Sequence, residues 1–219
     1  MILQVLARQV AARGYHPVLR HEGRDVSYAE LDRLSNRAAH ALRRHGVVRG
    51  DRVTLACGNS IEYVVAAFGV LKAGGVLHPI NPGLGAAELA YIVGHAAPRV
   101  LVADAASAPR VEALEVPMAA AETLAADGPD TPPDVALGPD DPSTLLYTSG
   151  TTGRPKGVLF THGRSGTSGP HFIHALGLVP DDVILAVTPL FHGNAWGAVV
   201  TALHAGATAA FPKSFSASA

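Results

Sequence analysis

Hydrophobic and polar positions follow a helical rhythm early in the chain. After Ser27, apolar residues recur at the three- and four-residue spacing that places them on one face of a helix: Tyr28, Leu31, Leu34, Ala38, Ala41 and Leu42. Glu30 follows Ser27 by three positions, which is a capping-box arrangement, and Gly46 supplies a stop signal. The pattern therefore predicts a helix between Ser27 and Gly46.

Short apolar runs then alternate with further helical segments. Asn59 and Glu62 repeat the capping arrangement before the helical run IEYVVAAFGVLKAGG, and AAELAYIVGHA predicts another helix. Strands are predicted at residues 51–57, 76–80 and 99–104. Strands that alternate with helices imply βαβ crossovers and a parallel sheet with helices on its faces, so we predict an α/β fold.

Residues 105–142 break this alternation, because they mix alanine, proline, aspartate and glycine. We expect a strand near Val116, a short helix at 119–125 and then a solvated connector. Beyond it, strands are predicted at STLLYTS, at GVLFTH and at residues 183–190 and 207–212, and helices near 164–177 and 194–205.

The composition is that of a globular protein without a polyanionic partner. The 219 residues are 48% hydrophobic and 16% charged, which suits one or two folded units, and the formal net charge is −1. The sequence contains no strongly basic run of the kind that binds nucleic acid. The single cysteine, Cys57, has no partner for an internal disulfide, and we interpret it as a small buried residue of a strand.

Targeting signals are not evident in the sequence. The run MILQVLARQVAARGYHP has neither the long apolar core nor the small-residue cleavage site of a secretory signal. No run is apolar for the ~20 residues that a membrane-spanning helix needs. We therefore expect a cytoplasmic protein without a transmembrane segment.

One stretch carries more small and hydroxylated residues than a turn requires. Between two strand-like runs lies Thr148-Ser-Gly-Thr-Thr-Gly-Arg-Pro-Lys-Gly157. Glycines let a backbone approach a ligand closely, successive N–H groups can form an anion-binding concavity, and hydroxyls and Lys156 add donors and charge. These components suit a polyphosphate.

Two alternatives for this stretch stay open. In the Walker loop, glycine precedes the lysine and Ser or Thr follows it, whereas Lys156 follows Pro155 and precedes Gly157. The spacing disfavours a P-loop NTPase. ATP hydrolysis without a carboxylate substrate would be evidence for that interpretation. The other alternative is a Gly- and Thr-rich hairpin loop that binds no ligand.

The stretch YTSGTTGRPKGV resembles the phosphate-binding loop of the adenylate-forming acyl-CoA synthetases almost residue for residue. This family includes fatty-acid and 4-coumarate CoA ligases, firefly luciferase and the adenylation domains of peptide synthetases. Three further segments are similar in order and spacing: SYAELDRLSNRAAHALRRHGVVRGDRV, NSIEYVVAAFGVLKAGGVLHPINP and TPLFHGNAW. The resemblance spans about residues 15–215, and PLFHGNAW favours fatty-acid or carnitine-type CoA ligases.

The resemblance implies the layered αβα fold of these enzymes. Residues 1–165 would form the parallel-sheet subdomain with its phosphate-binding loop at 148–157. Residues 166–219 would begin a second, incomplete α/β subdomain, and the small C-terminal domain of the family would be absent.

The resemblance also implies a two-step chemistry on a small carboxylic acid, ATP and coenzyme A, with Mg²⁺ as cofactor. The carboxylate attacks the α-phosphorus of ATP to give an acyl adenylate and pyrophosphate, and the thiol then displaces AMP. By resemblance, the residues around the β- and γ-phosphates are Thr148, Ser149, Gly150, Thr151, Thr152, Gly153 and Lys156. The Thr148 hydroxyl would be nearest the metal, and Lys156 would be catalytic because negative charge accumulates in adenylation.

His192 in PLFHGNAW is the second candidate catalytic residue. It matches the family's histidine at the acyl pocket, where the ring lies near the carboxylate and gates the thiol tunnel. Asn194 and Trp196 are candidates for the pocket lining, with core packing an equal alternative for Trp196. We expect Arg154 to be a solvated surface charge and the other histidines to be structural.

The sequence also departs from the family, whose members are more than twice as long. The segments that bind adenine, ribose and Mg²⁺ in the family have no counterpart here, so we expect a truncated or split N-terminal portion with little ligase activity of its own. The alternative is a non-catalytic chain that binds nucleotide or pairs with a separate second half. Apolar strands after residue 183 would lack neighbours, which favours self-association.

Overall fold

A computed structural model describes residues 1–148, 154–165 and 167–213. In chain order, the helices are α1 (Ile2–Arg13), α2 (Tyr28–Arg44), α3 (Ile61–Lys72), α4 (Ala86–Ala96), α5 (Ala108–Val111), α6 (Ser168–Leu176) and α7 (Gly193–Ala205). The strands are β1 (Pro17–His21), β2 (Arg24–Ser27), β3 (Arg52–Ala56), β4 (Val76–Pro79), β5 (Val100–Ala103), β6 (Met118–Ala120), β7 (Pro142–Thr148), β8 (Lys156–Thr161), β9 (Val183–Leu185) and β10 (Thr208–Ala210). Short 3₁₀ helices occupy Glu112–Leu114 and Ala121–Thr123.

The larger sheet has the strand order β6–β5–β3–β4–β7–β8. Leu55 of β3 lies opposite Pro79 of β4 and Val102 of β5, and both pairings are parallel. β4 and β5 are buried along their whole length, as expected of parallel strands covered on both faces. β8 runs antiparallel to β7 at one edge. The predicted α/β fold with a parallel sheet is confirmed.

Helix α2 forms where its sequence carries a cap and an apolar face. The Ser27 hydroxyl accepts a hydrogen bond from the Glu30 backbone N–H at 3.2 Å. Gly46 follows the helix with a φ of +82°, which favours a residue without a Cβ. Helix α3 is almost entirely buried because it packs against α2, against β3 and β4 of the larger sheet, and against β1.

The capping box predicted at Asn59 is wrong by one residue. The Ser60 hydroxyl accepts the hydrogen bond from the Tyr63 N–H at 3.0 Å and caps α3. The Asn59 side chain instead accepts from the Leu190 N–H at 2.7 Å and donates to the Pro212 carbonyl at 3.0 Å. Asn59 thus joins the β3–α3 turn to two segments that are distant in sequence.

The smaller sheet has the strand order β2–β1–β10–β9 and joins distant parts of the chain. Ala209 of β10 lies opposite Leu19 of β1 and Ile184 of β9, in parallel pairings. The expectation that strands after residue 183 lack neighbours is therefore wrong for β10. Among the described residues it holds for the outer side of β9, where Leu185 is 62% exposed. The predicted subdomain boundary between residues 165 and 166 is crossed by this sheet and stays a prediction.

Residues 105–141 differ locally from the prediction. Strand β6 and a 3₁₀ helix stand where a helix was expected, and Met118 of β6 pairs with Leu101 of β5. The rest of the segment is largely exposed. It is nevertheless attached to α2, because the Asn36 amide donates to the Asp130 carbonyl at 2.5 Å and the Arg37 guanidinium donates to the Asp130 carboxylate at 2.6 Å.

The later elements lie within a few residues of their predicted ranges, except that β9 ends at Leu185 rather than at residue 190. In the part of the chain that the structure describes, no helix combines the length and the apolar character needed to cross a membrane.

Candidate active site

The glycine- and threonine-rich stretch connects the antiparallel strands β7 and β8. Thr148, the last residue of β7, lies opposite Lys156, the first residue of β8. The predicted phosphate-binding residues between them, Ser149, Gly150, Thr151, Thr152 and Gly153, lie outside the described residues. The structure therefore places the two ends of the predicted loop side by side at one edge of the larger sheet.

Gly157 leaves room for an aromatic ring where the connection re-enters the sheet. A Cβ at this position would lie 3.0 Å from Leu145 Cδ1 and 3.3 Å from Tyr147 Cζ. Tyr147 is the residue opposite Gly157 on the neighbouring strand, so its ring lies against the glycine. A side chain at position 157 would require the Leu145 side chain and the Tyr147 ring to shift by a few tenths of an ångström.

A cavity of about 270 Å³ brings Thr148 and His192 together. Tyr147 lines it too, and the other lining residues come from the end of β4, from the region of α4 and from the segments before β8 and α7: Pro79, Ile80, Asn81, Leu84, Glu88, Ile92, Pro155 and Phe191. β4 and β7 are parallel neighbours. The cavity thus lies outside the carboxyl ends of parallel strands, where open α/β sheets bind their ligands.

His192 is held at this cavity by its backbone. It is the N-cap residue of α7, and its carbonyl accepts a hydrogen bond from the Trp196 N–H at 3.1 Å. The segment before it is anchored to the start of α3, because Leu190 donates to Asn59 and accepts from the Tyr63 hydroxyl at 3.2 Å. The His192 side chain does not cap the helix. Its exposed ring is therefore available to a ligand in the cavity.

A second cavity, of about 460 Å³, begins one residue further along α7. Its lining is mostly apolar and consists of Phe172, Leu176, Leu178, Ile184, Gly193, Asn194, Gly197, Ala198 and Thr201. Trp196 does not belong to this lining. It packs against Phe68 in the core, with ring centroids 5.7 Å apart, so the core-packing alternative is correct for this residue.

Lys156 lies at the edge of the site and is not part of the cavity lining. Its backbone pairs with Thr148, and its side chain is exposed. A lysine in this place is a mobile positive charge on the strand that pairs with Thr148. Its role toward phosphate stays a prediction, as do the roles of Thr148 and His192.

Sequence analysis missed residues around the two ends of the connection. The Tyr147 hydroxyl lies 2.5 Å from His95 Nδ1 on α4. Arg154, expected to be a solvated charge, is exposed but has its guanidinium carbon 5.6 Å from the centre of the Tyr91 ring. Tyr147 directly precedes the loop, which was a usable signal, whereas the residues of α4 carried none.

Burial shifts the pKa values of two side chains behind the cavity. The His78 ring lies 5.3 Å from the Tyr147 ring, and its Nδ1 lies 2.8 Å from the Thr54 hydroxyl. Burial, with a smaller effect of the Arg52 charge, lowers the pKa of His78 to about 4, so this imidazole is neutral at neutral pH. Burial also raises the pKa of Tyr147, which keeps its hydroxyl protonated and able to donate to His95.

Comparison with known proteins identifies the family. The model of the AMP-binding enzyme family matches residues 6–219. A feruloyl-CoA synthase of an Amycolatopsis species is 39% identical over 185 residues, which cover 83% of this chain and 37% of that protein. The long-chain-fatty-acid–CoA ligase FadD13 of Mycobacterium tuberculosis is 33% identical over 196 residues, which cover 84% of this chain and 39% of that protein.

A solved structure has the same fold. The inhibitor-bound N-terminal domain of FACL13 from Mycobacterium tuberculosis aligns with a TM-score of 0.92 and 28% identity, over 99% of this chain and 58% of that chain. This chain spans about two fifths of the length of the curated relatives it matches. The match of the family model over residues 6–219 shows that the chain belongs to the AMP-binding enzyme family.

Proposed function

We propose that this chain is part of an ATP-dependent acid–thiol ligase, in which it binds the polyphosphate of ATP and the carboxylic acid that ATP activates. The observation that carries the proposal is the cavity shared by Thr148 and His192. In the proposed reaction, a carboxylate oxygen forms a bond to the α-phosphorus as the bond to pyrophosphate breaks. The thiol of coenzyme A then attacks the acyl carbon and releases AMP.

Three features of the site supply positive charge or hydrogen-bond donors to an anion. Thr148 lines the cavity and carries a hydroxyl, and Lys156, its partner on the neighbouring strand, carries a positive charge. The amino terminus of α7 begins directly after His192, and the free N–H groups at a helix start favour negative charge. Adenylation is accelerated mainly by positioning and by stabilisation of negative charge, which is what these groups provide.

Mg²⁺ fits this arrangement through oxygen ligands. Across residues 1–148, 154–165 and 167–213, no three His, Cys, Asp or Glu side chains are grouped as metal ligands. The Thr148 hydroxyl and the phosphates of ATP would therefore hold the ion, in keeping with the preference of Mg²⁺ for oxygen and for phosphate. When bound, Mg²⁺ neutralises charge that develops on the phosphates.

The acid would lie along the start of α7. His192 lines the cavity at Thr148, and the next residue, Gly193, lines the larger apolar cavity. An acid whose apolar body fills the larger cavity would present its carboxylate near His192. Relatives include a feruloyl-CoA synthase and a long-chain-fatty-acid–CoA ligase, and we propose an aromatic or fatty carboxylic acid as the substrate class.

The chain on its own should bind nucleotide without efficient ligase activity. The cavity at Thr148 has about 270 Å³, whereas pockets for small molecules usually have roughly 300–1,000 Å³. The cavity formed by the described residues is therefore slightly below the usual range for a small-molecule pocket. We propose weak ATP binding and little acyl-CoA formation by the isolated polypeptide.

Substitution of Lys156 tests the assignment of the polyphosphate site. Titration calorimetry with Mg²⁺ and either ATP or AMP should show tighter binding of ATP, because ATP alone carries the β- and γ-phosphates. Lys156→Ala should weaken ATP binding about tenfold, the effect of one charge-assisted contact, and leave AMP binding unchanged. Arg43→Ala, which removes an exposed cation on α2, is the matched control and should change neither affinity.

Equal affinities for ATP and AMP, or an ATP affinity that Lys156→Ala does not change, would contradict the proposal. Isotope exchange between ATP and pyrophosphate that depends on an added carboxylic acid would demonstrate the adenylation step directly. ATP hydrolysis without such an acid would favour the P-loop NTPase alternative instead.

A second candidate function is that of a nucleotide-binding chain that acts together with another polypeptide. Large apolar side chains are exposed around the second cavity, with Leu176 68% and Leu185 62% exposed. Exposed apolar surface of this kind favours association. Self-association of the purified chain that increases with concentration in sedimentation velocity experiments would support this candidate.

A further inference from the structure

Both described ends of the β7–β8 connection contact helix α4, whose residues Glu88 and Ile92 also line the cavity at Thr148. Tyr91 and His95 lie four residues apart on this helix and therefore share one face. Their rings are stacked, with centroids 6.0 Å apart and planes inclined by 23°. They form a small platform beside the edge of the larger sheet.

The first end of the connection is attached to the platform through Tyr147. The Tyr147 hydroxyl lies 2.5 Å from His95 Nδ1, and the two rings meet edge to face at 5.8 Å. The same tyrosine ring lies against Gly157 on the opposite strand and against His78. The ring therefore links α4 to both strands of the hairpin, directly before Thr148.

The second end of the connection is attached through Arg154. Its guanidinium carbon lies 5.6 Å from the centre of the Tyr91 ring, within the range of a cation–π contact. Arg154 stands two residues before Lys156. Helix α4 thus contacts Tyr147, which precedes Thr148, and Arg154, which stands two residues before Lys156.

Burial does not explain these contacts. His95 and Arg154 are exposed and Tyr91 is half-buried, so the three side chains add little to the apolar core. An anion site, in contrast, gains affinity when its donors are already held at the right spacing, because fewer side chains and less backbone must be ordered on binding. The contacts of α4 with Tyr147 and Arg154 can hold the two ends of the connection in place in this way.

We propose that Tyr91 and His95 are positioning residues for the polyphosphate: through Tyr147 and Arg154 they hold the hairpin ends that carry Thr148 and Lys156 against α4. The nature of the ligand rests on the proposed function, whereas the attachment of the hairpin to α4 does not. Neither residue touches the reacting atoms in this proposal. Both act through the ends of the connection.

Substitution of His95 tests the first attachment. His95→Leu removes the ring nitrogen that shares a hydrogen bond with the Tyr147 hydroxyl and should weaken binding of Mg²⁺-ATP about fivefold, the effect of one hydrogen bond. His95→Gln keeps a side-chain acceptor and should restore most of the affinity. The melting temperatures of both variants should stay close to that of the original chain, and His171→Leu on α6 is the matched control for loss of an exposed histidine.

A double-mutant cycle separates positioning from a general structural effect. Tyr147→Phe removes the hydroxyl but keeps the ring against Gly157, so alone it should weaken ATP binding as much as His95→Leu does. The double variant should bind ATP no more weakly than either single variant, because both changes remove the same contact. Additive losses would overturn a role for this hydrogen bond.

Amide hydrogen exchange without nucleotide provides a readout that is independent of the proposed function. The amides of residues 156–158 should exchange faster in His95→Leu, and also in Arg154→Leu, which removes the cation over Tyr91. Unchanged exchange in both variants would overturn the attachment to α4. If the original chain binds no nucleotide at all while exchange rises in both variants, the proposed function fails and the attachment stands.

Discussion

Strands β3 and β9 are both short and apolar, but β3 is buried from Val53 to Ala56 whereas β9 leaves Val183 52% and Leu185 62% exposed. The helices beside them differ in the same way. Almost every residue of α3 is buried between the two sheets, while α6 exposes Phe172 and Leu176. We call β3 to β5 with α2 and α3 the closed region, because most of its apolar side chains are buried. We call β9, α6 and the start of α7 the open region, because large apolar side chains of β9 and α6 are exposed.

The cavity at Thr148 lies where these regions meet, and the larger apolar cavity lies within the open region. His192 and Asn194 belong to the segment around the start of α7, but the backbone before them is fixed by Asn59 and Tyr63 of the closed region. A rigid scaffold thus positions side chains on a more open part of the molecule, an arrangement common at ligand sites. Stability and function are expected to respond to different substitutions.

Leucine truncation in the two strands should show the largest contrast. Leu55→Ala on β3 removes a fully buried side chain and should lower the free energy of unfolding by about 2–5 kcal/mol. Leu185→Ala on β9 should lower it by less than about 0.5 kcal/mol, because most of that side chain is already in water. Urea unfolding of the two variants measures both effects, and comparable losses would remove the distinction between the regions.

Local sequence signals predicted the closed region well, for a physical reason. Helix α2 and strands β3 to β5 follow from apolar periodicity and caps within a few residues, which a sequence displays directly. The predicted cap at Asn59 failed because its amide is used by Leu190 and Pro212 instead. A local pattern does not reveal such long-range competition for a side chain.

Other parts of the fold and of the site depend on distant pairings. Strand β1, which sequence analysis did not predict, is completed by β10 from the other end of the described chain. The cavity joins Thr148 to His192, each predicted separately by resemblance. His95 and Tyr147 are 52 residues apart in sequence. Nothing in the sequence distinguishes the exposed His95 from the other histidines, so their contact was not predictable.

Acidification should destabilise the closed region through His78. Its pKa of about 4 lies below the ordinary value of 6.5, so the unfolded chain binds this proton more readily than the folded protein. The stabilising contribution of neutral His78 to the free energy of unfolding is complete above the ordinary histidine pKa of 6.5. It decreases as the pH falls toward 4. Burial also lowers the pKa values of His16, His162 and His204, which act in the same direction.

The expected loss from His78 is about 2–3 kcal/mol of unfolding free energy between about pH 7.5 and about pH 4.5. Urea unfolding across this range should show a shallower slope for His78→Gln than for the original chain. His171→Gln, on the exposed helix α6, is the matched control and should keep the original slope. Equal slopes for all three proteins would show that His78 does not carry the dependence.

A charge on the exposed edge strand should change association while leaving stability almost untouched. Leu185→Lys places a lysine on β9, and charged side chains on a sheet edge oppose pairing with another chain. The free energy of unfolding should change by less than about 0.5 kcal/mol, whereas any concentration-dependent association in sedimentation velocity should decrease. Val48→Lys replaces an apolar residue of similar exposure, 58% against 62%, outside any strand, and should leave association unchanged. If both variants reduce association equally, general charge repulsion and not the edge of β9 governs it. If neither does, the open region is not where copies of this chain meet.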